Sequence, residues 1–157
     1  MRKQTHDLAM RAVLSSLTRG HRVLHRISAG RLGRHFPGGQ QIVWISTLGR
    51  RTGTWRRTPL LAVDDGAGAY VVAGSNAGQA RVPGWVFNIG AHPEGFLEVD
   101  GAHWRVRFCE ATGTDRDALY ARLVASFGPF AGYARRAGRA IPVYRVALEE
   151  PVSRPSG

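Results

Sequence analysis

Cysteine is almost missing from this chain. Cys109 is the only one, which excludes an internal disulfide and any zinc site built from paired cysteines. Its setting, Trp104-Arg105-Val106-Arg107-Phe108-Cys109, has the alternation of a strand, so a buried, inert thiol is expected there rather than a nucleophile. Long apolar runs are missing too: no stretch approaches the ~20 consecutive apolar residues that a membrane span requires. The amino terminus carries no apolar secretory core followed by a small-residue cleavage site, and a cytoplasmic protein is expected. Lysine is the third scarcity. Apart from Lys3 the 22 cationic residues are arginines, set against 11 carboxylates, and the net charge is +11. An excess of that size favours acidic partners: phosphates, polycarboxylate tails, nucleic acid or an anionic membrane surface. For nucleic acid the charge is the sole support, because no helix-turn-helix, zinc finger or aromatic RNA-binding signature is visible, and no specific nucleic-acid partner is assigned. No serine, histidine and aspartate arrangement argues for hydrolysis, and no carboxylate pair argues for glycosidase-type acid and base work. His21 and His25 lie four apart but lack a carboxylate partner, so no metal is assigned either.

What is present begins with a basic turn. Residues 49 to 59, Gly49-Arg50-Arg51-Thr52-Gly53-Thr54-Trp55-Arg56-Arg57-Thr58-Pro59, place four guanidinium groups between two apolar runs, Ile42-Val43-Trp44-Ile45-Ser46-Thr47 and Pro59-Leu60-Leu61-Ala62-Val63. Both runs read as half-buried strands. Arginine offers a planar fork of donors that matches a phosphate or carboxylate edge. Backbone N–H groups at Gly49 and Gly53 are expected to approach an anion unhindered. A phosphorylated or polycarboxylate cofactor fits such a clamp; arginine is abundant throughout the chain, however, and biased codon usage accounts equally well for a solvated arginine-rich tip.

With 157 residues and 43% hydrophobic content, the chain is expected to form one globular unit with an ordinary core. Residues 1–35 read as a helical segment, in which Leu8, Met10, Val13, Leu14, Leu17, Val23, Leu24 and Ile27 recur at helical spacing among Arg11, Arg19, Arg22 and Arg26. Packing on the domain is its first role, and peripheral contact with an anionic membrane the alternative. Residues 36–150 read as the barrel domain, and 151–157 as a flexible tail. Ala69 to Gly74 is a strand after the turn Asp64-Asp65-Gly66-Ala67-Gly68; a short helix follows Pro83 and stops at His92-Pro93; Asp100-Gly101 joins two more strands. Thr114 is the expected N-cap of an amphipathic helix carrying Leu119, Tyr120, Leu123, Val124 and Phe127, followed by a short helix near Phe130 to Arg136 and a last strand from Ile141 to Leu148. The fold class is α+β, mainly β: a small barrel of about six strands with helices outside it.

Read in order, Leu48-Gly49-Arg50-Arg51-Thr52-Gly53, Arg56-Arg57-Thr58-Pro59-Leu60, Ala73-Gly74-Ser75-Asn76-Ala77-Gly78, Pro83-Gly84-Trp85-Val86-Phe87-Asn88, Ala91-His92-Pro93 and Ile141-Pro142-Val143 resemble the deazaflavin-dependent nitroreductase family over about residues 42 to 148. The resemblance implies a split β-barrel that binds coenzyme F420, a 5-deazaflavin whose tail carries a phosphate and a polyglutamate chain. It places Arg50, Arg51, Thr52, Arg56 and Arg57 around that tail, and Thr58 and Pro59 on the strand bordering the cofactor. Ala73, Gly74, Ser75 and Asn76 would lie along the ring, with Gly84, Trp85, Val86, Phe87 and Asn88 closing the other side. An asparagine amide offers a donor and an acceptor to a pyrimidine edge, while Trp85 and Phe87 have ordinary core packing as an equal alternative. Trp44, Phe127, Phe130 and Tyr133 are the implied substrate contacts, and Tyr133 the implied proton donor.

The chain departs from the family pattern at Arg51, where many relatives carry lysine, at Trp55, which replaces a common proline, and at Gly84, which is smaller than usual. Of the aromatic cluster only Tyr133 keeps a hydroxyl, which turns expectation from nitroimidazoles toward a more hydrophobic substrate. The implied activity is hydride transfer from reduced F420 to an activated alkene, a quinone or a similar small hydrophobic electrophile, with a homodimer as a further partner. Three alternatives stand beside it: flavin mononucleotide as the cofactor; a cofactor-independent cyclase or isomerase on the same barrel; and a non-catalytic binder of lipid or membrane surface.

Overall fold

The computed structural model describes residues 40–154. The expected amino-terminal helical segment, with His21, His25 and its alternative of membrane contact, lies outside the described residues. Seven antiparallel strands form one sheet: β1 (Ile42–Leu48), β2 (Trp55–Leu61), β3 (Val63–Asp64), β4 (Ala69–Ala73), β5 (Glu94–Val99), β6 (Ala102–Ala111) and β7 (Val143–Pro151), in the order β2-β1-β5-β6-β7-β4-β3. β2 is at one edge and β3 at the other, yet a single residue, Ala62, separates them in the chain. The sheet must therefore curl until its edges meet, and the Ala62 N–H, donating to the Gln41 carbonyl, extends the β1–β2 ladder as far as that single-residue turn. Because β3 pairs only with Tyr70 and Val71, the upper part of β4 faces the β2 edge across a gap. That gap is the split in the barrel, and the architecture is the α+β, mainly β fold expected.

Strand alternation sends Val43 and Ile45 of β1, Leu97 and Val99 of β5, Val106 and Phe108 of β6 and Val146 of β7 into one apolar core. Gly95 lets β5 lie against β1: an added Cβ would strike the Ser46 carbonyl oxygen and stand 3.0 Å from the Phe108 ring. A second core forms on the outer side of β4 and β7. There Val71, Ala73 and Val143 meet Leu119 and Leu123 of helix α2 (Gly113–Ser126), together with Phe130, and Tyr133 and Ala137 of helix α3 (Tyr133–Ala137). β4 is thus covered on both faces, as its near-continuous apolar sequence requires, and so is the start of β7 at Val143 and Tyr144. Helix α1 (Gly84–Ala91) caps the barrel, with Trp85 and Ile89 in the first core.

Several expectations need correction. β2 begins at Trp55, so Arg56 and Arg57 are strand residues paired with Thr47 and Ser46 and not part of the turn. α2 is capped at Thr112, not Thr114, and its first turn starts on Gly113. β7 runs to Pro151, three residues past the strand end expected at Leu148, and the Val152 N–H donates to the His103 carbonyl. Cys109 is exposed, because the β6 alternation that buries Val106 and Phe108 turns Arg107 and Cys109 outward. Among the described residues no helix is long and apolar enough to cross a membrane, and no cluster of His, Cys, Asp and Glu could hold a metal ion.

Candidate functional site

Three adjoining chambers run along the split. The innermost, about 330 Å³, lies between Thr58 to Leu61 of β2 and the segment Ala73 to Ala77, and is closed by Trp85, Phe127, Phe130 and Tyr133. It shares Thr58, Asn76, Gln79, Pro83 and Trp85 with a middle chamber of about 380 Å³. The middle chamber in turn shares Arg56, Arg81, Val82, Gly84 and Asn88 with an outer one of about 500 Å³, which Arg50, Arg51 and Phe87 complete. One groove results, apolar and aromatic at its inner end and cationic at its outer end. The amino terminus of α1 borders the cationic part, adding a helix end that favours an anion.

The turn from β1 to β2 is built to display these charges. The Gly49 N–H donates to the Thr54 carbonyl and the Gly53 N–H to the Gly49 carbonyl, both at 2.8 Å, while Gly53 takes the left-handed backbone that favours glycine. Those two N–H groups close the turn, which corrects the expectation that they meet an anion. Thr52 and Thr54 share a hydroxyl contact at 2.8 Å. The Arg50 guanidinium stacks over the Phe87 ring at 4.7 Å. None of Arg50, Arg51, Arg56 and Arg81 has an ion pair among the described residues. Arg57, Arg105, Arg107, Arg116 and Arg145 by contrast all face carboxylates. Arg122, Arg135, Arg136, Arg139 and Arg154 likewise have no ion pair among the described residues but line none of the chambers; the four on the outer chamber are gathered where their fields add, an arrangement suited to an anion.

Arg57 is placed elsewhere. It pairs with Glu98 and stacks over Trp44 at 4.4 Å. Trp44 alternates with Val43 and Ile45 and so lies on the face of β1 opposite the barrel core. Neither residue is among those lining the three chambers. Burial lowers the Arg57 pKa and the Glu98 charge opposes that shift. Gly74 and Val86 also stand behind the lining, where they pack on each other: a Cβ on Gly74 would stand 2.7 Å from Val86 Cγ2 and 2.8 Å from Pro142 Cγ. Asn88 does line the groove, but its amide holds the protein together. Its Oδ1 accepts the Arg50 N–H and its Nδ2 donates to Thr47 Oγ1, each at 3.2 Å. One lone pair and one N–H remain for a ligand.

At the inner end, the Tyr120 hydroxyl donates to the Phe130 carbonyl at 2.5 Å, fixing the turn Gly128–Gly132 that presents Phe127 and Phe130. Both rings pack edge-on to each other, and Tyr133 packs edge-on to Phe130 at 5.2 Å. Burial raises the pKa of the Tyr133 phenol, against the nearby Arg136 guanidinium, so it stays protonated at neutral pH. Sequence reasoning missed Leu60, Leu61, Ala77, Gln79 and Arg81 on the groove wall. The same argument that singled out the turn arginines, a cation next to a Gly-rich loop, would have found Arg81.

A split barrel with this groove defines a class of reductase in which the protein binds an anionic, ring-bearing cofactor and leaves the redox chemistry to it. The family model of the F420H(2)-dependent quinone reductases matches residues 17–149. The chain belongs to that family. It is 32% identical over 132 residues to the F420H(2)-dependent quinone reductase Rv1261c of Mycobacterium tuberculosis, a match covering 81% of this chain and 87% of that protein. Among solved structures it is similar to an F420-H2 dependent reductase, FDR-A (29% identity, TM-score 0.62, covering 67% of this chain and 92% of the other). It is also similar to a protein described as a domain-swapped dimer (25% identity, TM-score 0.65, covering 90% of this chain and 98% of the other). The chain is an F420-dependent oxidoreductase with coenzyme F420 as its cofactor, and the flavin mononucleotide, cyclase and lipid-binder alternatives are not favoured.

Proposed function

We propose that this chain reduces a hydrophobic quinone in the inner chamber, with the F420 tail held in the outer one. The uncompensated arginines Arg50, Arg51, Arg56 and Arg81, opening through a shared wall onto a chamber lined by Phe127, Phe130 and Tyr133, carry the reading. Arg50, Arg51, Thr52, Arg56 and Arg81 hold the phosphate and carboxylates. Thr58, Pro59, Ala73, Ser75 and Asn76 offer a flat wall of small or rigid groups for the ring, with Trp85 and Gly84 opposite; Gly74 and Val86 support that wall from behind. Bound and reduced, F420 supplies a hydride. Tyr133, kept protonated by burial, supplies the proton that completes reduction of a quinone to a hydroquinone. Phe127 and Phe130 exclude water and orient the acceptor, which is the protein's share of the catalysis. Arg57 and Trp44, packed on the far face of the sheet, support β1 and β2 rather than touch either ligand.

Anaerobic consumption of reduced F420, followed with and without naphthoquinones and benzoquinones, tests the reading. One F420 oxidised for each hydroquinone formed is expected; F420 bound but never oxidised by any quinone would contradict it. A homodimer is part of the proposal, supported by the dimeric solved neighbour. A monomeric mass by light scattering would remove it.

A further inference from the structure

The inner wall of the groove is a loop that the backbone does not adopt willingly. Asn76, Ala77 and Gly78 have φ of 46°, 54° and 77°, three left-handed residues in succession. For a residue with a side chain that region costs roughly 1–2 kcal/mol, and only Gly78 escapes the cost. Gly78 also has a packing reason for its identity, since a Cβ there would stand 3.0 Å from Tyr133 Cδ1 and 3.2 Å from its Cα. Local bonds shape the loop: the Gly78 N–H donates to the Ser75 carbonyl, the Gln79 N–H to the Asn76 carbonyl, and Asn76 Nδ2 to Gln79 Oε1 and the Arg81 carbonyl. These bonds close the loop on itself. They do not fasten it to the barrel.

Arg139 does. It follows Gly138, the left-handed residue that ends α3, and its guanidinium reaches into the loop from below. Nε donates to the Ala80 carbonyl at 3.0 Å, and Nη2 to the carbonyls of Gly74 (3.1 Å), Ser75 (3.4 Å), Gln79 (3.3 Å) and Arg81 (3.4 Å). Nη2 has two protons, so the four carbonyls share it in branched bonds. Both ends of the loop thus converge on one cation. Arg136 adds a bond to the Ala77 carbonyl at the loop's tip. Arg139 forms no ion pair among the described residues and lines none of the three chambers. Its charge is met by carbonyl dipoles alone, a planar task that five fixed donors perform and a lysine ammonium cannot.

We infer that Arg139 is a positioning residue for the cofactor groove: by gathering the carbonyls at both ends of residues 74–81 it holds a strained loop in the one shape that presents Ser75, Asn76 and Arg81 to the ligand. This rests on the reading that the groove takes F420. Because α3 ends next to Arg139 and begins with Tyr133, the same residue ties the cofactor wall to the proton donor's helix.

The test compares R139A and R139K with the parent, first without ligand and then with F420. In unliganded R139A, amide exchange at Gly78 and Gln79 is expected to be about tenfold faster while β1 and β5 exchange as before, a local opening of the loop alone. The F420 dissociation constant is expected to rise about tenfold, with kcat at saturating reduced F420 within about twofold, because the contact acts on binding geometry and not on the transferring atoms. R139K, which keeps the charge and loses the fork, is expected to lie between the two; if R139A does not accumulate folded, R139K is read by the same two measurements. Loop exchange or F420 affinity equal to the parent in these variants would overturn the inference. A parent protein that binds no F420 would instead overturn the groove assignment, and the exchange data on unliganded protein would still decide whether Arg139 holds the loop.

Discussion

Alanine at both Arg56 and Arg81 is expected to weaken F420 binding by about two orders of magnitude at low ionic strength, since a charge-assisted contact contributes about 1.5–3 kcal/mol and each 1.4 kcal/mol is tenfold. These two are chosen because both line the middle and the outer chamber, where the cationic end of the groove meets the ring-sized part. Neither has a carboxylate partner among the described residues, which leaves each side chain open to a ligand there. High salt should shrink the difference between variant and parent, because the Debye length falls with ionic strength, from about 30 Å at 0.01 M to about 3 Å at 1 M, and the attraction between exposed charges is screened accordingly. The melting temperature should hardly move, since no protein contact is removed. Arg105 and Arg107 provide the control. They pair with Glu150, Glu94 and Glu149 on the outer side of β6. Removing both takes away the same net charge, and F420 binding should stay within about twofold. Equal losses in the two double variants would mean that overall charge, and not the groove, attracts the cofactor.

Trp85→Ala and Phe87→Ala, two residues apart on α1, are expected to fail in opposite ways. Trp85 is 4% exposed, packs edge-on to Tyr144 at 5.5 Å and belongs to the barrel core. Its truncation should cost about 3–5 kcal/mol, lowering the melting temperature by roughly 10 °C. Phe87 is 47% exposed and carries the Arg50 guanidinium on its face. Its truncation should leave stability within about 1 kcal/mol, and should reduce F420 affinity a few-fold by releasing Arg50 from a stack of about 0.5–1 kcal/mol. Thermal melts and cofactor titrations on the same two samples read both halves. A stable Trp85→Ala, or a Phe87→Ala that melts early with normal affinity, would show that the two side chains have been assigned the wrong parts.

Those two aromatic residues also mark how far the sequence carried. From the chain alone Trp85 and Phe87 are equivalent, each a large side chain on a short helix beside a Gly-rich segment, and only the direction of α1 over the barrel mouth makes Trp85 a core residue whose edge lines the inner chambers and Phe87 an exposed wall of the outer one. The strands were legible because β-branched runs between Gly-marked turns have few other solutions. The start of β2 was not, since Trp55, Arg56 and Arg57 look like turn residues until β1 pairs with them. That pairing separates two neighbouring arginines: alternation puts Arg56 on the groove and Arg57 against Trp44 and Glu98 on the other face. The order of motifs was enough to imply the barrel, the cofactor and most of the groove wall. Arg139 escaped because a lone arginine has no local pattern, and its role depends on carbonyls brought to it from a segment about 60 residues away, as in the bond from Arg139 to Gln79. Cys109 was misjudged for a related reason, since either phase of an alternating strand can face the core.

The central claim is that the uncompensated arginines around the outer chamber make this groove a site for the anionic tail of F420. A calorimetric titration of the purified chain with F420, run beside flavin mononucleotide at two salt concentrations, tests it most directly. Selective binding of F420 that weakens as salt rises is the predicted result. Equal binding of the two cofactors, or F420 binding indifferent to salt, would contradict it.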